Sequence, residues 1–234
     1  MPSDFDAAGA ELAGTAPKAA LTANQQKVQE LPETSERPWA FEKDRAALLV
    51  IDMQKDFVDE GAIMEVAMAR HRIPTMRNVI EKCRGAGVPV IYTRHVLSDR
   101  FDVSPLETAY QPKLKATGMR EGSEGIEIVP ELAPLANETV IGKHRYDAFH
   151  DTPLETILRT IRGVGQVDTV IVIGTVTNIC CESTARSAFM RDFKVVFVSD
   201  ANGGLDEASH NATLTIIGRV FGRVMTAGEL IDQL

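Results

Sequence analysis

Residues 45–52 read RAALLVID, a short aliphatic run that stops on a carboxylate. The theme returns as VPVIYTRH at 88–95, ETVIG at 138–142, DTVIVIG at 168–174 and KVVFVSD at 194–200. Continuous β-branched runs of this length suit strands buried on both faces, not the alternation of a half-exposed sheet. RVM at 223–225 is a shorter sixth candidate.

Helical stretches separate these runs. The segment from Arg72 to Arg84 puts Ile73, Met76, Val79, Ile80 and Cys83 on one side, and Gly85 and Gly87 supply a stop before the next strand. Thr152, Pro153 and Glu155 form a T-P-x-E start: the hydroxyl caps the first turn, proline suits N1 and the glutamate reaches back. Further helices are expected over about Asn178–Arg191 and Leu205–Gly218, with a last one capped by Thr226 and Glu229. Strands alternating with helices mean right-handed crossovers. The expected fold class is α/β: a single Rossmann-like domain of three α/β/α layers around a mainly parallel five- or six-stranded sheet. Ligands of such sheets bind beyond the carboxyl ends of the strands, where strand order reverses, so the residues just after each strand matter most.

The chain has 234 residues, which suits one sizeable domain with an appendage at about 150 residues per domain. Its 44% hydrophobic and 25% charged content is ordinary for a globular protein and excludes a disordered, collagen-like or disulfide-scaffold chain. A net charge of −8 argues against nucleic-acid or anionic-membrane partners. Cys83, Cys180 and Cys181 make no even disulfide framework, and no run approaches the roughly 18 apolar residues of a membrane span. The amino terminus lacks the basic and apolar regions of a secretory signal, so a cytoplasmic location is expected.

Residues 1–40 are read as a mobile extension, rich in Ala, Thr, Gln, Glu and Pro, and 41–234 as the folded domain. The alternative for the extension is a short helix around Ala20–Leu31 that packs on a neighbouring subunit. The segment 101–125 carries Pro105, Pro112, Gly118, Gly122 and Gly125 with little periodicity; substrate cover and a subunit contact both suit a loop of that length.

Three strand ends carry chemistry. Asp52 follows the first strand in IDMQKDF, Lys143 the third in IGKHRYDAF, and Thr177, Asn178 and Cys180 the fourth in GTVTNICCESTARSA. Each alone has a bland reading: a turn residue, a solvated charge, a small buried hydrophobe. Together, an acid, a base and a thiol at neighbouring strand ends are expected to converge on one cleft.

At these residues the sequence resembles the isochorismatase-like cysteine hydrolases, which include nicotinamidases, carbamoylsarcosine amidases, biuret hydrolases and ureidoacrylate amidohydrolases. The resemblance runs from about Ala46 to Leu234 and is carried by LLVIDMQKDF, GKHRYDAFHDTPLETIL and GTVTNICCESTARSAF. It implies a catalytic triad of Asp52, Lys143 and Cys180, an oxyanion hole from the backbone N–H groups of Val176 and Cys180, and a cis peptide between Val176 and Thr177. Cys181 falls where the family commonly has valine and is expected to pack inward. The family's habits also imply a homo-oligomer, a small-molecule substrate and no cofactor.

Physical chemistry supports those roles. A free thiol has a pKa of about 8.5 and is mostly protonated at neutral pH. The start of a helix favours an anion at Cys180, Asp52 opposes one, and Lys143 between the two stabilises both. The expected reaction is attack by Cys180 on a carbonyl carbon while Asp52 takes the proton, with ammonia or an amine as first product. A hyper-reactive thiol and ammonia release are the discriminating observations.

Other residues are secondary candidates. Phe57 and Tyr146 line the pocket or pack in the core; Thr177 and Asn178 are substrate-binding candidates, with Asn178 alternatively orienting the cysteine turn or capping the helix; Arg145 meets a substrate carboxylate or a surface partner. Asn202, Gly203 and Gly204 read as a flexible turn at the rim. His71, His95, His144, His150 and His210 are too scattered for a metal site, so none is expected. The region YTRHVLSDRFD lacks the histidine cluster of metal-dependent nicotinamidases, which disfavours that activity. Retention of Cys180 points to carbon–nitrogen cleavage, the alternatives being vinyl-ether hydrolysis and a non-catalytic binding member of the family. The missing glycine fingerprint after the first strand argues against a dehydrogenase.

Overall fold

A computed structural model of the protein describes residues 39–100 and 103–234. The chain divides into Met1–Glu36 and Arg37–Leu234, and the architecture below belongs to the second unit. Residues 1–38 of the expected extension, with its alternative helix at Ala20–Leu31, lie outside the described residues.

In chain order the elements are β1 (Ala46–Ile51), α1 (Lys55–Val58), α2 (Ala67–His71), α3 (Ile73–Gly85), β2 (Val90–His95), α4 (Pro105–Tyr110) and β3 (Thr139–Lys143). There follow α5 (Leu154–Thr160), β4 (Thr169–Thr175), α6 (Glu182–Phe189), β5 (Lys194–Gly203), α7 (Glu207–Ile216), β6 (Arg223–Met225) and α8 (Ala227–Ile231). The six strands form one sheet in the order β3-β2-β1-β4-β5-β6, with every neighbouring pair parallel. The strand order reverses between β1 and β4, which opens a crevice at their carboxyl ends.

The aliphatic runs form strands because both faces of the sheet are covered. Ala46, Leu48 and Val50 of β1 enter one core cluster, with Met76, Val79, Ile80 and Cys83 of α3 and Leu230 of α8. Ala47, Leu49 and Ile51 enter the other, with Leu154 and Leu158 of α5 and Ala185 and Ala188 of α6. Each such aliphatic side chain contributes about 1.5–3 kcal/mol on full burial, and every residue of β1 and β4 is buried, whereas the edge strands β3 and β6 are partly exposed. The two central strands are therefore the rigid frame of the crevice.

The ends of α3 and α8 follow their sequence signals. Gly87 takes a φ of +73° beyond α3, where Val88 N–H donates to the Cys83 carbonyl at 2.9 Å. Thr226 and Glu229 make the reciprocal cap of α8. The T-P-x-E start is only half realised: Leu154 N–H donates to Thr152 Oγ1 at 3.2 Å, but Glu155 turns outward to Arg159 and Arg191.

Asn202 and Gly203 are not a flexible turn. They are buried within β5, and Gly203 pairs with Thr175. The register between β4 and β5 shifts between Val172 and Gly174, which breaks the ladder of hydrogen bonds. The Asn202 side-chain amide repairs it, donating to the carbonyls of Val172 at 2.9 Å and Val198 at 2.7 Å. Gly203 is needed for close approach, since a Cβ there would sit 2.4 Å from the Ala69 backbone.

The segment after β2 carries α4 and packs over the end of that strand. Leu97 and Met119 are buried, Leu97 N–H donates to the Met119 carbonyl at 2.7 Å, and Met119 N–H donates to Asp56 Oδ2 at 2.6 Å. No helix among the described residues is long and apolar enough to cross a membrane.

Candidate active site

Asp52 is the first residue beyond β1, and it leaves the strand with a left-handed φ of +48°. Asp tolerates that conformation better than most residues. The turn aims its carboxylate back across the sheet. Oδ1 accepts a hydrogen bond from Thr93 Oγ1 at 2.6 Å, and Oδ2 lies 2.7 Å from Lys143 Nζ. Both charged side chains are fully buried. Lys143 ends β3, two strands from β1, and its extended side chain spans the intervening β2; its Nζ also donates to the Arg145 carbonyl at 3.0 Å.

Cys180 comes from the wide turn Thr177–Cys181 that joins β4 to α6. The residue is 2% exposed, and its thiol is within hydrogen-bonding reach of Asp52, of Lys143 and of the Val176 N–H. Gly174 lets this end of β4 lie against β1: its φ is +126°, and a Cβ would stand 2.1 Å from the Ile51 carbonyl oxygen. The structure thus brings Asp52, Lys143 and Cys180 together at the crevice where strand order reverses. The cis peptide lies one residue earlier than expected, between Thr175 and Val176.

The electrostatics differ from the sequence expectation in one respect. Burial pushes the Cys180 thiol up, Lys143 pulls it down, Asp52 pushes it up again and the Val176 N–H lowers it, for a net rise to about 12. Desolvation outweighs the cation, so the resting sulfur is a thiol and not a thiolate. Burial would lower Lys143, but Asp52 and Cys180 more than offset it and hold the ammonium charged. The resting triad is one anion, one cation and one neutral thiol. Moving the thiol proton onto Asp52 leaves that total charge unchanged, whereas losing it to solvent would leave a net buried anion.

Thr93 was not anticipated from the sequence, because a threonine inside a strand normally reads as β-propensity alone. Its hydroxyl and carbonyl meet the Asp52 carboxylate and backbone N–H. Thr93→Val keeps the shape but removes the donor. We expect kcat to fall about tenfold, the equivalent of about 1.4 kcal/mol. An unchanged kcat would mean that Thr93 only packs.

Gln54, also unanticipated, clamps the exit of β1 to β2: its side chain donates to the His95 carbonyl at 3.0 Å and accepts from the His95 N–H at 2.6 Å. His95 stacks on Tyr146 with ring centroids 6.2 Å apart, and its Nε2 stands 3.4 Å from the Glu107 carboxylate of α4. The 101–125 segment therefore contributes a carboxylate beside the site. Tyr146 is 40% exposed and feels the charges of Glu107, Cys180 and Lys143, which sets it at the lip.

The remaining candidates separate. Phe57 is buried in the core cluster beneath β1, where it packs. Thr177 is buried with Oγ1 2.9 Å from His210 Nδ1, which anchors the cysteine turn to α7. Asn178 keeps a buried Oδ1 without a hydrogen-bond partner. Arg145 donates to the His144 carbonyl at 2.6 Å. Cys181 is fully buried in the second core cluster, as expected. All three cysteines are unbridged.

Comparison with known proteins agrees with this arrangement. Residues 46–229 match the profile of the isochorismatase domain. Enterobactin synthase component B of Escherichia coli K12 is 34% identical over 210 residues, covering 86% of this chain and 69% of that protein. Nicotinamidase 3 of Arabidopsis thaliana is 35% identical over 191 residues, covering 81% of this chain and 88% of that one. The crystal structure of a cysteine hydrolase from Pseudomonas syringae pv. phaseolicola 1448A superposes with a TM-score of 0.77 at 33% identity, covering 85% of this chain and 97% of that one. With the parallel sheet, the reversal point and the profile match in agreement, this chain belongs to the isochorismatase family and is a hydrolase.

Proposed function

We propose that the protein is a cysteine-dependent amidohydrolase that cleaves a carbon–nitrogen bond of a small amide, ureido or carbamoyl compound. The observation that carries this reading is a buried carboxylate 2.7 Å from a buried ammonium, with a thiol in hydrogen-bonding reach of both. The similarity to a nicotinamidase and to a cysteine hydrolase supports the same chemistry.

The thiol proton passes to Asp52 as the sulfur bonds to the substrate carbonyl carbon, and the carbonyl π pair moves onto oxygen. The Val176 and Cys180 N–H groups stabilise that oxyanion. The intermediate collapses, the carbon–nitrogen bond breaks, and Asp52 returns the proton to the departing nitrogen. Water then attacks the thioester, giving a proton to Asp52, which passes it to the leaving sulfur. Lys143 stays protonated throughout and balances whichever of Asp52 and Cys180 carries the negative charge.

The test is ammonia or amine release from a panel of small amides, ureido acids and carbamoyl compounds, with intact-mass detection of an acyl group on the protein after rapid acid quench. A substrate that releases ammonia with a transient acyl adduct on the Cys180 peptide is the expected result. Turnover of a vinyl ether with no adduct, or no turnover of any panel member, would reject the reading.

A further inference from the structure

Read along the chain, the histidines look scattered, but the turn after β3 gathers two of them with a carboxylate. This turn is fixed from its inner side. Asp147 Oδ2 accepts from Ser187 Oγ at 2.7 Å, Ala148 N–H donates to Thr184 Oγ1 at 3.0 Å, and the buried Phe149 ring packs on Phe193 with centroids 6.0 Å apart. On its outer side stand His144, His150 and Asp151. Asp151 Oδ2 lies 3.3 Å from His150 Nε2 and 3.6 Å from His144 Nε2. One ligand atom from each of the three residues lies within 4.8 Å of the other two.

Those separations have a chemical meaning. Ligands bound tetrahedrally to Zn²⁺ at about 2.0–2.1 Å stand about 3.4 Å from one another. Two of the three edges already have about that length, and the third is within 4.8 Å. Asp151 adopts a φ of +51°, a left-handed conformation that occurs within this anchored turn. The donor set of two imidazoles and one carboxylate is that of a borderline transition metal, not of Mg²⁺ or Ca²⁺, which prefer oxygen throughout.

We propose that His144, His150 and Asp151 form a surface binding site for a divalent transition metal of the Zn²⁺ class, with water completing the coordination. The site is separate from the Asp52–Lys143–Cys180 triad, whose side chains are buried, and it takes no part in the hydrolysis. It does share a strand end with Lys143, so a bound ion ties down the segment that carries the lysine and Tyr146.

The full chain is titrated with Co²⁺ and with Zn²⁺, following heat by calorimetry and, for Co²⁺, the visible d–d bands. One equivalent is expected to bind, with four-coordinate Co²⁺ absorption and with no thiolate charge-transfer band in the near ultraviolet. His150→Ala and Asp151→Asn should each weaken binding at least tenfold and leave basal hydrolysis unchanged. Absence of binding below millimolar metal, a thiolate band, or equal affinity in both variants would overturn the site. Equally tight binding of Mg²⁺ would overturn its transition-metal character. None of these outcomes depends on the hydrolytic mechanism, because the readouts are heat and spectrum.

Discussion

Cys180→Ala is expected to lower kcat by about a thousandfold or more, because no other group can form the covalent bond that divides the reaction into two steps. The variant should still fold. The thiol is small, and its removal costs about 1–2 kcal/mol as a cavity at most. Cys180→Ser should be almost as inactive, since a hydroxyl is harder to deprotonate than a thiol and Asp52 is a weak base. The neighbouring sulfur is the control. Cys181→Ser keeps the nucleophile and places a hydroxyl in an apolar cluster, so kcat should stay within a few-fold while stability drops by about 1–3 kcal/mol. Rates and thermal unfolding of the three proteins separate the roles, and near-normal turnover by Cys180→Ala would reject the nucleophile.

The raised thiol adds a signature. With Cys180 pushed up to about 12, alkylation of the resting enzyme by iodoacetamide should be slow at pH 7. It should accelerate about tenfold per pH unit through pH 8–11 as thiolate accumulates. The helix start and the nearby lysine had suggested a hyper-reactive thiol; burial reverses that expectation. Reactivity at neutral pH belongs to the proton shift toward Asp52, not to a standing thiolate.

Lys143→Met is expected to be the most destabilising single change at the site. Deleting the ammonium leaves the Asp52 carboxylate buried without its ion pair, a loss of about 3–5 kcal/mol. Activity should vanish with it, because the anion formed during attack has no counter-charge. Asp52→Asn should also abolish turnover and strand the opposite charge. The double variant Asp52→Asn, Lys143→Met should be more stable than the sum of the two single losses implies, since neither charge is then left alone. Denaturant unfolding of the four proteins measures that coupling. Strict additivity, or a Lys143→Met protein within 1 kcal/mol of the parent, would mean that the pair is not the buried ion pair described here.

The sequence was most informative where local pattern and burial coincide. Aliphatic runs marked the central strands β1 and β4, because full burial on two faces demands apolar residues at consecutive positions, and shorter runs marked the partly exposed edge strands β3 and β6. The triad was legible because strand ends have fixed places in a parallel sheet and the motifs around Asp52, Lys143 and Cys180 are distinctive. The NGG segment at 202–204 misled for an equally physical reason. Asn and Gly favour turns by local conformation, but here the asparagine amide repairs a broken ladder and the glycine admits the Ala69 backbone. Neither demand is visible without the neighbouring strand and helix.

The amino-acid order alone determined the alternation of strands and helices and the parallel sheet, which follow from hydrophobic period, while the resemblance of its motifs to a known family singled out the three residues brought to the carboxyl edge. Tertiary structure decided the protonation and partners of those residues: that burial holds the thiol neutral, that Thr93 of β2 steadies the carboxylate, and that His144 and His150 meet Asp151 on one anchored turn. Such properties depend on distance and dielectric between groups far apart or turned toward each other only by the folded chain, and a linear sequence encodes neither directly.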